Sequence, residues 1–339
     1  MESEISRRGF LEWTMAAGVA ASLPRFGVAA DQSAKEIAKS QKDFPAGQFV
    51  DMHTHLGQVW NLNKELTVDG LLHWMDDNSV SQAIVLPLIS PESSSYPLTT
   101  DFVLEQTKGH RDRLIPFCSI DPRTSYSGVR PPGNKKAPPD QHRGLVEMLK
   151  RYIDRGVKGF GEHKPGVKVD DPRNMAIYRA CGEVELPVLF HMDNERNIDV
   201  PGLPGLEKAL KQNPQTKFVG HGPGWWASIS GGLKQSDLNG YPQGETKPGG
   251  AMDALMEKYP NIYGEMSAGS GAGAIKRDTK FYREFVLRRS DRIMFGTDYL
   301  APGQEVPQFE LVKQLNLPPD VQAKVFRDNA RKLLGLTPG

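Results

Sequence analysis

The chain has 339 residues, of which 38% are hydrophobic and 24% charged, with 42 Lys and Arg against 41 Asp and Glu. This composition is typical of a globular protein, and the formal net charge of +1 does not favour nucleic-acid binding, which would need a basic surface. No uncharged apolar run reaches the roughly 18 residues of a membrane span, so we expect no permanent span. Two cysteines, Cys118 and Cys181, are too few for a disulfide framework, and we expect both to be buried thiols rather than a bridge.

Residues 1–30 have the pattern of an export signal. Arg7 and Arg8 are followed by a run of small and apolar residues at 14–23, and Ala29 and Ala30 end a small-residue cleavage site. The paired arginines are typical of a twin-arginine signal peptide; the alternative is a frayed amphipathic helix. We therefore predict a periplasmic or extracellular protein whose first partner is the export machinery.

From about residue 48 onwards, short β-branched or aromatic runs alternate with helical segments. This alternation predicts a parallel sheet, and eight such units fit a (β/α)8 TIM barrel, which is the fold that we predict. A doubly wound sheet is the alternative, although no strand here is followed by GxGxxG. The predicted strands are 48–52, 83–88, 114–120, 157–161, 187–190, 217–220, 261–264 and 292–296.

The helical segments have the length and period of barrel helices. They are 67–78, 99–111, 141–155, 172–183, 203–212, 249–258 and 280–289, with a closing helix at 320–336. The predicted organisation is therefore a signal peptide at 1–30, a linker at 31–47 and one barrel domain at 48–339.

Two predicted connections are long, 122–140 after the third strand and 222–249 after the sixth. In a barrel, both would lie at the carboxyl ends of strands, where loops build the active site. We interpret them as partial lids that carry substrate contacts, with packing against the protein itself as the alternative. The aromatic candidates in these loops are Tyr126, Trp225, Trp226 and Tyr241.

Four of the eight histidines and one aspartate occur where predicted strands end. His53 and His55 are two apart on the first strand, so both should point to the same side. His191 ends the fifth strand, His221 the sixth and Asp298 the eighth. In a closed barrel these side chains converge, and nitrogen and carboxylate ligands together suit a divalent cation such as zinc. For each residue alone, a buried structural role is the alternative.

These motifs resemble those of the amidohydrolase superfamily, with HxH on strand one, a histidine after strands five and six, and Phe-Gly-Thr-Asp on strand eight. The closing residues 329–336, Asn-Ala-Arg-Lys-Leu-Leu-Gly-Leu, are similar to the amidohydrolase-related (amidohydrolase 2) branch, which includes aminocarboxymuconate-semialdehyde decarboxylase-like enzymes. The resemblance covers about residues 49–336. It implies that His221 is a second metal ligand or a proton-handling group, and that one metal is held by His53, His55, His191 and Asp298.

Strand four leaves the number of metals open. It presents Glu162 and Lys164 on one face, and the same resemblance implies that a carboxylate or a carbamylated lysine there can bridge two ions. A second ion would then be held by Glu162, His191 and His221. The alternative is that Glu162 pairs with Lys164 in the pocket wall, where Lys164 can also contact substrate.

Two further carboxylates can support the site. Glu265 on strand seven can orient a ligand histidine, contact substrate, or be a buried paired charge. Asp51 lies one step deeper than His53 on the same face and can hydrogen-bond a ligand. The remaining histidines we interpret as packing or surface residues, namely His73, His110, His142 and His163.

We predict a metal-dependent hydrolase that cleaves an amide, lactone or ester of a small molecule. A divalent cation, most simply zinc, lowers the pKa of water from 15.7 towards about 7. Asp298 would accept the proton and deliver it to the leaving group, while His221, if it is not a ligand, would polarise the substrate oxygen.

Two other functions remain open at this point. A metal-dependent decarboxylase of an unsaturated or aromatic acid would need an arginine for the substrate carboxylate. Arg196 is the candidate, with a salt bridge to Glu195 as its alternative role. The other function is an exported metal-binding protein without catalysis. A homo-oligomer is compatible with the sequence but is not indicated by it.

Overall fold

The computed structural model describes residues 44–45, 47–124 and 140–337. The predicted signal peptide and most of the predicted linker lie outside these residues. So does 125–139 of the first long loop, which includes Tyr126. The predictions for those segments stay predictions.

Eight parallel strands follow one another around a barrel in the order β1 to β8, with helices between them. Backbone hydrogen bonds join β1 to the segment that follows β8, from Met52 N to Phe295 O (3.0 Å) and from Asp298 N to His53 O (2.8 Å). The predicted TIM barrel is confirmed. Its strands are β1 Phe49–Thr54, β2 Val80–Val85, β3 Leu114–Cys118, β4 Gly159–His163, β5 Val188–His191, β6 Phe218–His221, β7 Ile262–Glu265 and β8 Ile293–Met294.

Each of the seven predicted inter-strand helices is present, and so is the predicted closing helix, as one continuous helical segment at 319–334 with a π-helical turn in its middle. A 3-10 turn at Gln235–Asn239 and a π turn at Lys324–Asp328 complete the described elements. The helices are α1 Val68–Asp77, α2 Thr100–Thr107, α3 Gln141–Asp154, α4 Pro172–Glu183, α5 Pro204–Gln212, α6 Pro223–Ala227, α7 Ala251–Lys258, α8 Ala268–Arg277, α9 Thr279–Arg288, α10 Gln308–Gln314, α11 Pro319–Ala323 and α12 Asn329–Leu334.

Side-chain caps explain where several helices begin. An oxygen of the residue before the helix accepts a backbone amide of the first turn, which satisfies a donor that the helix itself leaves unpaired. The capping residues are Thr67 for α1, Thr99 for α2, Asp140 for α3, Asp171 for α4 and Asp278 for α9.

The apolar core has two layers, one inside the barrel and one between the strands and the helices. α12 contributes Leu333 and Leu334 to the inner layer, and in the outer layer Phe49 packs on Phe295 with ring centroids 4.4 Å apart. These contacts leave the carboxyl ends of the strands for polar side chains. The inner layer comprises Val50, Met52, Ile84, Leu86, Ile115, Phe117, Leu189, Val219, Met294, Ala330, Leu333 and Leu334.

Two further expectations concern the cysteines and the membrane. Cys118 and Cys181 are both free and buried, as predicted, and burial raises the pKa of each thiol. In the part of the chain that the structure describes, no helix combines the length and the hydropathy of a membrane span.

Candidate metal centre

Six predicted side chains from the ends of five barrel strands meet at one place. Five of them are buried, and the Asp298 side chain is 22% exposed, so that it is the one that faces solvent. The predicted convergence is therefore observed, and it adds the strand-four glutamate to the cluster. The six are His53 and His55 from β1, Glu162 from β4, His191 from β5, His221 from β6 and Asp298, which follows β8.

Each histidine of the cluster has one ring nitrogen held from outside. His53 Nδ1 lies 3.0 Å from Glu265 Oε1, and His55 Nδ1 lies 2.9 Å from the carbonyl oxygen of Leu86. Because these oxygens only accept, the outer nitrogen carries a proton, and Nε2 is the atom that a metal would bind after losing its own proton.

The other two histidines follow the same rule. His221 Nδ1 lies 2.6 Å from Glu265 Oε1 and 2.9 Å from Ser267 Oγ. His191 is held by its other nitrogen, because its Nε2 lies 2.8 Å from Asp193 Oδ2. His221 Nε2 and His191 Nδ1 therefore face inward. Outer acceptors of this kind orient histidines for metal binding.

The inward atoms of the β1 histidines and of two carboxylates have the spacing of a metal site. His53 Nε2 and His55 Nε2 are 3.2 Å apart, and they lie 3.6 and 3.4 Å from Asp298 Oδ1. Glu162 Oε2 is 3.7 Å from the first and 3.6 Å from the second. Ligands at about 2.0–2.2 Å from one ion, at tetrahedral angles, lie about 3.3–3.6 Å from each other. The residues present therefore fit one divalent ion.

Glu162 faces two neighbourhoods with its two oxygens. Oε2 points to the β1 histidines, while Oε1 lies 3.0 Å from His191 Nδ1 and 3.6 Å from His221 Nε2. The ammonium of Lys164 is 3.3 Å from the same Oε1. The pairing of Glu162 with Lys164, which was the alternative role, is thus present. The ammonium lies beside the carboxylate oxygen that a bridged second ion would need as its ligand.

The electrostatics of the cluster keep its carboxylates ionised. Burial alone would raise the pKa of Glu162, but the charge of Lys164 and hydrogen bonds from His191 and His53 hold it well below its ordinary value. For Asp298, burial is likewise outweighed by the positive charge of His53 and a hydrogen bond from His55, which lower its pKa. Ionised carboxylates are the form that binds a metal.

The backbone around Asp298 is held on both sides. Asp298 has φ of 60°, in the left-handed region that aspartate tolerates better than most residues, and its carbonyl accepts from Gln304 Nε2 at 2.8 Å. Asp51 accepts from the backbone of His53 (3.0 Å) and of Thr297 (2.9 Å). Asp51 thus ties β1 to the turn before Asp298 through backbone amides.

Arg196 does not present a free guanidinium to the cluster. Its Nη1 lies 2.7 Å from Asp193 Oδ2 and its Nη2 lies 3.2 Å from Glu195 Oε2. The salt bridge that was the alternative role for Arg196 is therefore formed, and a second carboxylate shares it. Through Asp193, this arginine supports the orientation of His191.

The structure packs the rings of Trp225 and Trp226 into the barrel wall and not over the mouth, which is the alternative that the sequence left open for them. Trp225 is fully buried against β6, and a Cβ at Gly220 would lie only 2.4 Å from its ring. Trp226 is 2% exposed, and its Nε1 donates to the carbonyl of Glu265 at 3.0 Å. Both rings pack because α6 begins immediately after β6 and turns them onto the barrel.

Two supporting residues were not singled out from the sequence. Asp193 and Ser267 each lie two positions beyond the last residue of a strand, at the same offset that separates His53 from His55. Their positions two residues after His191 and Glu265 were the available signal. The remaining histidines lie away from the cluster; for example, His163 Nε2 bonds Asn174 at 2.9 Å.

Comparisons with known proteins show the family of the chain and structures of similar fold. A family model described as Amidohydrolase matches residues 50–336. A comparison with curated proteins found no match.

Solved structures are similar in fold at low sequence identity. An uncharacterised TIM-barrel protein from Bordetella bronchiseptica is 15% identical with a TM-score of 0.57, over 85% of this chain and 98% of that chain. A protein described as a proposed 2-pyrone-4,6-dicarboxylic acid hydrolase from Pseudomonas putida is 16% identical with a TM-score of 0.56, over 85% of this chain and 97% of that chain. A dihydroxybenzoic acid decarboxylase from Polaromonas sp. JS666, described with bound manganese, is 13% identical with a TM-score of 0.50, over 85% of this chain and 97% of that chain. At these identities the likeness concerns the fold alone.

Proposed function

The chain belongs to the amidohydrolase family, and from that membership and the metal centre we propose that it is a metal-dependent hydrolase of a small-molecule amide, lactone or ester. One observation carries the proposal. The donor atoms of His53, His55 and Asp298 lie 3.2–3.6 Å from one another, which is the spacing of three ligands on one tetrahedral ion with the fourth position open, and Asp298 faces solvent.

We propose that His53, His55 and Asp298 hold a single ion, zinc, with its fourth position open to water and Glu162 Oε2 beside the two histidines. Nitrogen and oxygen donors at tetrahedral spacing favour zinc, whereas manganese prefers six oxygen ligands. When bound, the ion supplies a Lewis acid that lowers the pKa of water from 15.7 to about 7. A single ion is favoured because the ammonium of Lys164 lies 3.3 Å from Glu162 Oε1, the oxygen that a second ion would need.

Asp298 is the proposed proton carrier. Its side chain is the most exposed of the cluster, and its Oδ1 lies 3.4 Å from His55 Nε2. A water positioned beside this carboxylate gives up its proton to Asp298 as it attacks, and Asp298 returns that proton to the leaving group.

His221 and Lys164 have complementary roles in this proposal. His221 Nε2 carries a lone pair, since its Nδ1 proton is shared with Glu265, so His221 orients the attacking water by accepting a hydrogen bond. A polarising role for His221 would need a proton on Nε2. The positive charge that faces the developing oxyanion is instead that of Lys164, whose side chain is 13% exposed.

The competing reaction is decarboxylation, for which Arg196 was the expected carboxylate binder. Its guanidinium already pairs with Asp193 and Glu195, so this arginine is not free to hold a substrate carboxylate. Of the two reactions, that observation favours hydrolysis over decarboxylation.

The experiment compares wild type with Asp298→Asn on two panels of compounds. One contains aryl esters, lactones and amides; the other contains hydroxybenzoates and unsaturated acids, with release of carbon dioxide as the readout. We expect hydrolysis by the wild type and a loss of about 10²–10⁴-fold in Asp298→Asn, because the amide cannot carry the proton. Asp112→Asn, at an exposed position, should leave turnover unchanged.

Three results would contradict the proposal. Undiminished hydrolysis in Asp298→Asn would remove the assigned role of Asp298. Carbon dioxide release without hydrolysis would establish the decarboxylase. No turnover of either panel by metal-loaded protein would favour the exported metal-binding protein.

We also propose that residues 1–30 direct export. The pair Arg7 and Arg8 supports this proposal. Cell fractionation should find wild-type protein outside the cytoplasm and the double variant Arg7→Lys, Arg8→Lys inside it; equal distributions would contradict the assignment.

A further inference from the structure

Arg277, the last residue of α8, has a guanidinium that is only partly used. Its Nε donates to Gly244 O at 2.9 Å, and its Nη2 donates to Glu245 O at 3.1 Å and to Ser230 Oγ at 3.4 Å. All three acceptors are uncharged. Its Nη1 is buried and has no hydrogen-bond partner among the described residues. A buried donor of a charged group without an acceptor is costly, so this position is prepared for an acceptor from outside the chain.

Ser270 presents a second unused donor on the same face of α8. It is 3% exposed, and its Oγ has no partner within the described part of the chain. Ser270 and Arg277 are seven residues apart, which puts them on one side of the helix. Both line one cleft, whose empty volume is about 260 Å3 including the part that is open to solvent. The other lining residues are Pro223, Trp226, Ala227, Gly240, Tyr241, Pro242, Gly273 and Ala274.

The helix that lines the cleft begins next to the outer side of His221. Ser267, which precedes α8, contacts His221 Nδ1 at 2.9 Å, and Ser270 is one turn further along, a rise of about 4.5 Å. Tyr241 closes the cleft on the outside: its ring lies over the glycines of α8 and its side chain is half exposed. Burial raises the pKa of Tyr241, and the negative charge of Asp298 raises it further, which agrees with a phenol close to the mouth.

We propose that this cleft is an anion subsite that binds a carboxylate group of the substrate, with Arg277 as its positive group and Ser270 Oγ as a hydrogen-bond donor. The inference deepens the proposed function and rests on it for the identity of the bound molecule. The substrate is then an acid whose carboxylate lies apart from the bond that is cleaved, and Tyr241 packs against the chain that connects the two.

Binding of glutarate, a small dicarboxylate, tests the subsite without turnover. Titration calorimetry on metal-loaded protein should give a Kd for the wild type that rises about 10-fold or more in Arg277→Gln, because a hydrogen bond to a charged group is lost. Ser270→Ala removes a hydroxyl that has no partner, so it should fold normally and weaken binding several-fold. Glutaramide, which has the same carbon chain without charge, should bind at least about 10-fold more weakly than glutarate.

The matched control is Lys276→Gln, which removes a positive charge from the neighbouring exposed position of α8. It should leave the Kd for glutarate unchanged, whereas an equal loss in this variant would show general charge attraction and overturn the subsite. Equal affinity of wild type and Arg277→Gln, or no binding of glutarate at millimolar concentration, would also overturn it.

The two proposals fail separately. Glutarate binding that depends on Arg277, in a protein that hydrolyses nothing, would leave the subsite standing and refute the hydrolase. Hydrolysis together with Arg277-independent glutarate binding would refute the subsite alone.

Discussion

Glu265 connects two histidines of the metal centre at the scale of single residues. Its Oε1 lies 3.0 Å from His53 Nδ1 and 2.6 Å from His221 Nδ1, and it also accepts from Ser267 Oγ. The pKa of Glu265 is held well below its ordinary value, because the charges and hydrogen bonds of His221 and His53 outweigh burial. This carboxylate therefore fixes the tautomers that turn both Nε2 atoms inward.

Glu265→Gln should weaken metal binding by about 10- to 100-fold, the usual effect of removing an outer carboxylate from ligand histidines. The carboxylate accepts with both oxygens, Oε1 from the two rings and Oε2 from Ser267 N at 2.7 Å. An amide can accept at only one of these positions, so either the histidines or the backbone that positions the side chain lose their hydrogen bonds. Competition with a chelator measures the change. Glu284→Gln, at an exposed position of α9, is the control; wild-type affinity in Glu265→Gln would contradict the orienting role.

The side chains that face the metal position were predictable, because barrel topology brings the carboxyl ends of the strands together. The HxH spacing and the histidines at the ends of β5 and β6 needed only that topology. The outer acceptors were less visible, because Asp193 and Ser267 lie in connecting loops and the acceptor of His55 is the carbonyl of Leu86. Every residue has a backbone carbonyl, so the sequence does not indicate which carbonyl accepts the hydrogen bond.

The two tryptophans were expected to contact substrate because aromatic side chains in active-site loops often do. In this protein both rings pack in the core instead. Trp225→Ala should lower the free energy of unfolding by about 3–5 kcal/mol, the usual cost of removing a buried aromatic ring, while the metal content stays that of the wild type. Denaturant unfolding and elemental analysis check the two parts. Unchanged stability would show that the Trp225 ring is not packed against β6.

At the scale of elements, β7 is followed by two helices, α8 and α9, of which only α9 was predicted. The α8 sequence contains Gly269, Gly271 and Gly273, and glycine disfavours a helix by about 1 kcal/mol relative to alanine. The glycines occur in this helix because larger side chains would not fit there: a Cβ at Gly271 would lie 2.1 Å from Met266 O. Helical propensity alone therefore could not reveal α8, since close packing outweighs it.

Helices α7 and α9 are joined by an ion pair whose contribution depends on pH. Asp253 Oδ2 lies 2.8 Å from Arg288 Nη2, and Oδ1 lies 2.7 Å from Arg289 Nε. Burial would raise the pKa of Asp253, but the hydrogen bonds from both arginines lower it. A carboxyl whose pKa is lower in the folded state stabilises the fold above its unfolded pKa of about 3.9, and this stability is lost as the pH falls further.

Asp253→Asn should therefore reduce the free energy of unfolding at pH 7, and the difference from wild type should shrink as the pH falls below about 4. Denaturant unfolding of both proteins at several pH values measures this. Asp320→Asn, on α11, serves as a surface control. A difference that stays constant down to low pH would mean that the Asp253 charge contributes nothing to stability.

At the scale of the whole molecule, closure of the barrel joins distant parts of the chain at the site. Asp51 Oδ1 accepts from Thr297 N across 246 residues of sequence, and Asp298 N donates to the carbonyl of His53. These bonds set the HxH pair beside Asp298. The alternation of strands and helices predicted this closure, because eight parallel strands with short crossovers form a barrel. The substrate could not be predicted in the same way, because loop contacts such as those of Tyr241 follow no sequence periodicity.

The metal content of the purified protein tests the central claim most directly. Elemental analysis of protein prepared without chelator should give about one equivalent of zinc in the wild type and in His142→Ala, a histidine of α3 away from the cluster, and close to none in His55→Ala. About two equivalents in the wild type, falling towards one in Glu162→Ala, would replace the single ion by a bridged pair. A metal-free wild type, or wild-type metal content in His55→Ala, would contradict the metal centre itself.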